Sequence, residues 1–267
     1  MSFESQIYKT DYHVHTFYSD GHAWPEDYIS RAIESGLSEI GFSDHLTLTD
    51  EQQDWSIKPS MLNEYIERIR KLKENETRIK IKLGLEVDFL PGKEDMIYNT
   101  LSKIPLDYVI GSVHFMDGGT VDLVGPEYYE NKDIDRIFES YFKLIAEAAA
   151  SGLFDLIGHT DLIRIYRYYP KGNTDTMYRS LAREISRSGV AIELNTNGMN
   201  HPVKDFYPDP RFLHIFREED VPICVNSDAH YPYRLTQFFD DAYSLVRKAG
   251  FTEMITFSER AAEMKPI

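Results

Sequence analysis

Near its start the chain reads Thr10-Asp11-Tyr12-His13-Val14-His15-Thr16, and two α/β architectures compete for this segment. Its short apolar, β-branched character suits a buried strand. An open doubly wound sheet would normally carry a glycine-rich turn directly after such a first strand. Two histidines stand there instead, two residues apart, so on a regular strand both side chains point the same way. That favours a closed barrel, in which the strand ends converge on one face.

The pattern repeats along the chain. Apolar runs at 10–15, 39–43, 79–87, 108–113, 156–159, 190–195 and 222–226 predict seven strands, with a short eighth at 254–257. Helical spacing fills the intervals. Leu62, Tyr65, Ile66, Ile69 and Leu72 form one apolar stripe, and Ile137, Phe138, Tyr141, Phe142, Ile145 and Ala149 form another. Pro25-Glu26-Asp27 predicts a helix start, and Gly36, Gly152, Gly189 and Gly250 stand where left-handed caps are expected. Strand–helix alternation implies a parallel sheet with helices outside. With no Gly/Ser- or Pro-rich linker, residues 1–267 read as a single barrel domain.

Composition narrows the function. Hydrophobic residues make up 42% and charged residues 27%, which excludes a disordered or low-complexity chain. Lys plus Arg number 29 against 44 Asp plus Glu, a net charge of −15, so binding of nucleic acid through a basic face is excluded. A single cysteine, Cys224, rules out an internal disulfide framework and fits a reducing compartment. Met1-Ser2-Phe3-Glu4-Ser5-Gln6 lacks the basic start and apolar run of a signal peptide. No apolar run approaches the roughly 20 residues of a spanning helix. The expectation is a cytoplasmic protein without a membrane association.

The chemistry lies in the histidines. Six of the nine fall at or just after predicted strand ends: His13, His15, His45, His114, His159 and His230. Asp11, Asp20, Asp44, Glu86, Asp161 and Asp228 stand beside them. Imidazole and carboxylate together suit zinc, manganese or iron. Asp228 and His230 repeat the two-residue spacing of His13 and His15. So many ligands exceed the three or four of one tetrahedral zinc, which points to two or three ions bridged by a carboxylate such as Glu86. One strand-end histidine is usually a hydrogen-bonded core or rim residue; six in register with one barrel face are not. His22, His201 and His214 lack this placement.

These residues also resemble a known family. Asp11-Tyr12-His13-Val14-His15 with Asp20, Ser43-Asp44-His45, Gly84-Leu85-Glu86, Gly111-Ser112-Val113-His114-Phe115, Gly158-His159-Thr160-Asp161 and Ser227-Asp228-Ala229-His230 are similar to the motifs of the PHP (polymerase and histidinol phosphatase) superfamily. Glu193-Leu194-Asn195-Thr196-Asn197-Gly198, with Pro202-Val203 and Tyr207-Pro208 after it, resembles the histidinol-phosphatase branch. The resemblance implies a distorted (β/α)7 TIM-like barrel with a trinuclear site at the C-terminal ends of the strands. By motif, His13, His15, Glu86 and Asp228 would hold the first ion, and Glu86, His114 and His159 the second. Asp20, His45 and His230 would hold a third, with Asp20 standing where some relatives have histidine. Zinc, iron and manganese all occur in the family.

The implied activity is hydrolysis of a small-molecule phosphomonoester, foremost L-histidinol phosphate in histidine biosynthesis, through a hydroxide shared by the first two ions. Such ions would also let a chain of charge −15 accept an anion. Arginines are expected to complete the phosphate cradle. The resemblance favours Arg164, with Arg167, Lys171, Lys204 and Arg234 as further candidates and His201 as a substrate contact or proton donor. Tyr166, Tyr168, Tyr169, Tyr207, Tyr231 and Tyr233 are candidate pocket walls. The rival readings are a phosphoesterase of the same superfamily acting on phosphotyrosine proteins or nucleotides, and a non-catalytic metal-binding protein.

Overall fold

A computed structural model describes residues 7–123 and 125–267; the segment 1–6, read above for a targeting signal, lies outside the described residues. In chain order the strands are β1 (Thr10–Asp11), β2 (Glu39–Phe42), β3 (His45–Leu46), β4 (Lys80–Asp88), β5 (Tyr108–Ser112), β6 (Phe115–Met116), β7 (Gly119–Thr120), β8 (Leu156–Ile157), β9 (Ala191–Asn195), β10 (Ile223–Asn226), β11 (Glu253–Ser258) and β12 (Ala261–Pro266). The helices are α1 (Pro25–Glu34), α2 (Leu62–Asn75), α3 (Glu94–Leu101), α4 (Ile134–Ala150), α5 (Thr174–Ser188), α6 (Leu213–Glu218) and α7 (Phe239–Lys248).

Seven strands form one parallel sheet in the order β1-β2-β4-β5-β8-β9-β10. The seam between β10 and β1 is closed by a single parallel bridge from Val14 to Ala229. There His15 N donates to Ala229 O at 3.0 Å and Ala229 N to His13 O at 3.1 Å. Below it, Tyr12 N donates to the side-chain Oδ1 of Asn226 at 2.9 Å, so a side chain takes the place of a ladder bond. The barrel is therefore nearly closed and distorted at the seam, and its closing contacts run through the His-X-His segment.

The outer helices follow the sequence pattern. The stripe of α4 is buried, Ile137, Phe138, Tyr141, Phe142, Ile145 and Ala149 among it. In α5, Asn173 accepts from Thr176 N at 3.2 Å, and Gly189 ends the helix at φ 73°. A Cβ on Gly41 would meet the Tyr108 hydroxyl, and one on Gly84 the Tyr108 ring, each at 2.3 Å, so two neighbouring strands leave room for one tyrosine side chain.

The predicted eighth strand forms but does not join the barrel. Instead, β11 pairs antiparallel with β12. Its Ile255 and Phe257 pack with Tyr12, Tyr108, Ile110, Leu156, Ala191 and Cys224, residues near the starts of the barrel strands. The hairpin is a floor, opposite the face where strand ends gather. Among the described residues no helix is long and apolar enough to cross a membrane.

Phe257, 3% exposed, stacks against Tyr108 and meets Tyr12 edge-on. Phe257→Ala should cost about 3–5 kcal/mol of stability, read as a lower urea midpoint, with metal content per folded chain unchanged.

Candidate metal centre

The C-terminal strand ends carry the candidate ligands. His13 and His15 follow β1, His45 lies in β3, Glu86 near the end of β4, His114 after β5, His159 after β8, and Asp228 and His230 after β10. Pairing of β3 with β4 sets His45 opposite Glu86 in register. Asp228 holds φ 50°, a left-handed conformation that aspartate tolerates better than most residues.

The ligand atoms fall into groups of metal size. His13 Nε2 lies 3.1 Å from Glu86 Oε2 and 3.7 Å from Asp228 Oδ1. His15 Nε2 lies 3.5 and 3.2 Å from the same two oxygens. A tetrahedral ion with bonds of about 2.0–2.1 Å spaces its ligands by roughly 3.4 Å, close to these four spacings, and His13, His15 and Asp228 form one group that could hold an ion. On the other oxygen, Glu86 Oε1 is 3.1 Å from His159 Nε2 and 3.7 Å from His114 Nε2, and the two nitrogens are 3.3 Å apart. Glu86 thus turns one oxygen to each group. A third group joins Asp20 to His45 Nε2 at 3.7 Å and to His230 Nε2 at 3.3 Å.

Cations suit this donor set. His13 Nε2, His15 Nδ1 and Nε2, His45 Nδ1, Glu86 Oε2 and Asp20 Oδ1 are buried without a hydrogen-bond partner. Buried polar atoms are costly when unsatisfied, and six in one cup point to a shared cationic partner. Burial works against charge on Glu86, yet His13 and His45 hold its carboxyl well below the usual range. Burial and the neighbouring His45 and His230 push His15 down to about 3. Burial disfavours protonated His114 too, but Asp88 outweighs it and raises His114 to about 10. Metal uptake must therefore release protons and tighten as pH rises.

An outer layer orients the ligands. Glu193 engages His13 Nδ1 at 3.0 Å, and Asp88 engages His114 Nδ1 at 2.9 Å, turning each Nε2 lone pair inward. Ser112 Oγ donates to Glu86 Oε1 at 2.6 Å, and Asn195 Nδ2 to Asp228 Oδ2 at 3.2 Å. The sequence reading assigned Glu193 and Asp88 no role. A signal existed, because Asp88 is two residues beyond Glu86 and shares its face of β4.

Asp11, Asp44 and Asp161 stand near the ligands in sequence but serve the backbone. Asp11 accepts from Ser227 N at 3.0 Å, Asp44 from Thr16 N at 2.7 Å, and Asp161 from Asp209 N at 2.7 Å. They hold the loops that present Asp228, Asp20 and the segment around His201.

A cleft of about 660 Å³, counted out to solvent, opens above the cup. Trp55, Leu123, Leu162, Asp122, Asn197 and His201 line it with candidate ligands, and among the described residues no Lys or Arg does. That corrects the arginine expectation. Arg164 is fully buried, with Nε on Asp161 at 2.7 Å, Nη1 on Asp205 at 3.2 Å and Nη2 donating to Phe206 O. Each of its three nitrogens donates to a neighbouring residue, and the side chain does not reach the cleft lining. Arg167 is exposed away from the cleft lining, and Lys204 Nζ donates to the carbonyls of Met199 and Asn200. His201 does line the cleft; burial lowers its pKa, and its Nδ1 lies 3.2 Å from Tyr207 Oη. None of the six candidate tyrosines lines the cleft, whose aromatic wall is Trp55.

A barrel whose strand ends share buried imidazoles through one carboxylate defines a metal-dependent barrel enzyme. Residues 11–197 match the PHP domain model, and the chain belongs to that family. It is 35% identical over 264 residues to a probable histidinol-phosphatase of Deinococcus radiodurans, covering 96% of this chain and 98% of that one. It is 29% identical over 261 residues to the histidinol-phosphatase of Lactococcus lactis, covering 94% of each. The crystal structure of histidinol phosphate phosphatase from L. lactis, complexed with zinc, L-histidinol and phosphate, superposes with a TM-score of 0.82 at 28% identity, over 97% of this chain and all of that one.

Two outcomes test the centre. Glu86→Gln should lose metal measured by elemental analysis and drop kcat/KM beyond the ~10–100-fold typical of outer partners, whereas Asp20→Asn should lose at most one ion and less activity; the reverse order would remove Glu86 from the bridging position. Arg164→Ala leaves Asp161 uncompensated, so unfolding stability should fall by about 3–5 kcal/mol. Unchanged stability with only a raised KM would return Arg164 to the phosphate.

Proposed function

We propose that the protein is a phosphomonoesterase that hydrolyses L-histidinol phosphate to L-histidinol and inorganic phosphate, with two to three divalent transition-metal ions as cofactors. The observation that carries this reading is a cup of nine candidate ligands around Glu86, opening into a cleft that among the described residues has no Lys or Arg. His13, His15, Glu86 and Asp228 are the first ligand set, Glu86, His114 and His159 the second, and Asp20, His45 and His230 the third. Ions held there supply Lewis acidity, an activated water and the positive charge that a phosphate dianion requires.

The protein's own residues do the rest. Glu86 and Asp228 fix the spacing of the imidazoles, and Glu193 and Asp88 hold the ring tautomers. Trp55, Leu123 and Leu162 give the cleft its apolar walls. His201, kept neutral by burial, has its Nδ1 against Tyr207 and presents Nε2 as the atom that can exchange a proton with the leaving alcohol. Zinc is favoured by the donor chemistry and by its presence in the similar L. lactis structure. The buried free thiol of Cys224 fits a cytoplasmic setting.

The test is a substrate panel with metal content measured on the same sample. The protein should release phosphate from histidinol phosphate with a higher kcat/KM than from nucleoside monophosphates or phosphotyrosine peptides. Exhaustive chelation should abolish turnover and zinc or manganese should restore it. Full activity after chelation, or preference for a nucleotide or a phosphotyrosine peptide, would overturn this reading.

A further inference from the structure

Asp122 is the one carboxylate lining the cleft that belongs to none of the clustered ligand groups. It is half-buried, on the loop after β7, and among the described residues its carboxylate has no hydrogen-bond or ion-pair partner. The loop is held from outside, because Tyr166 Oη donates to the Asp122 carbonyl. Its negative charge is felt at both His114 and His201, which reach the cleft from different strands.

An uncompensated carboxylate in a cleft built for a dianion is a liability unless the ligand also brings positive charge. The cleft's other lining residues outside the ligand set are Trp55, Leu123, Leu162, Asn197 and His201, none of them a cation at neutral pH. We infer that Asp122 binds the ammonium group on the alcohol side of the substrate and so selects amino-alcohol phosphates over uncharged phosphomonoesters. This rests on the reading proposed above. In histidinol phosphate the ammonium sits on the carbon next to the ester methylene, and it is charged at neutral pH where an imidazole is largely neutral. The metal-ligand residues would place the phosphate through the ions they hold, and Asp122 the ammonium beside it. Such a contact discriminates chiefly against ligands that leave the half-buried carboxylate unpaired.

The experiment compares wild type, Asp122→Asn and Asp122→Glu on histidinol phosphate, its N-acetyl derivative and p-nitrophenyl phosphate, each at measured metal content. N-acetylation should lower kcat/KM at least tenfold for wild type, mainly through KM, and less than about threefold for Asp122→Asn. Asp122→Glu should keep most of the discrimination. Equal losses on N-acetylation in wild type and Asp122→Asn overturn the inference, as does a wild type indifferent to N-acetylation, a result that holds even if the variants fold poorly. A wild type that does not prefer histidinol phosphate to p-nitrophenyl phosphate would instead sink the substrate assignment itself.

Discussion

The Glu86 carboxylate, 1% exposed, sits among five imidazoles, and the rest of the cup is arranged around it. His13, His15, His45, His114 and His159 each bring a ring nitrogen within 2.8–3.7 Å of its oxygens. A buried charge is tolerated only with close compensation and satisfied lone pairs. The barrel supplies both by geometry. The register of β3 on β4 brings His45, the seam brings His13 and His15, and β5 contributes Ser112 and His114. A strand shifted by one residue would turn these side chains to the opposite face and leave the carboxylate unpaired.

The same arrangement resolves an electrostatic conflict. A chain with net charge −15 has to attract an anion, and among the described residues the cleft offers no lysine or arginine to do so. Positive charge placed on the ligand cup inverts the local field where it matters and nowhere else. Arg164, five residues after His159, is instead locked between Asp161 and Asp205 with its guanidinium over the Tyr207 ring. Tyr207 in turn meets His201. Arg164 acts on the site through the loop it braces.

Much of this was legible in the sequence, for physical reasons that can be named. Strand and helix periods differ, so the alternation and the barrel emerged from apolar spacing. The nine candidate ligands stood out because a barrel gathers every strand end, and the fold brings their side chains into one cup. Spacing does not reveal partners, and there the reading fell short. The run at 254–257 has the pattern of a barrel strand, but its hydrogen-bond partner is the segment just after it. Arg164 looks free until Asp205 and Phe206, 41 and 42 residues away, are folded onto it. Asp88 and Glu193 have no motif of their own, since an outer-layer carboxylate is defined by the histidine it touches.

The central claim is that Glu86 is shared by ions that carry the phosphate without help from a cationic side chain. Anomalous diffraction from crystals of the zinc-loaded protein with bound phosphate addresses it most directly. The account predicts one metal peak at each Glu86 oxygen, phosphate density in contact with the metals, and no lysine or arginine within hydrogen-bonding distance of the phosphate. A single peak at Glu86, or a phosphate held by an arginine away from the metals, would contradict it.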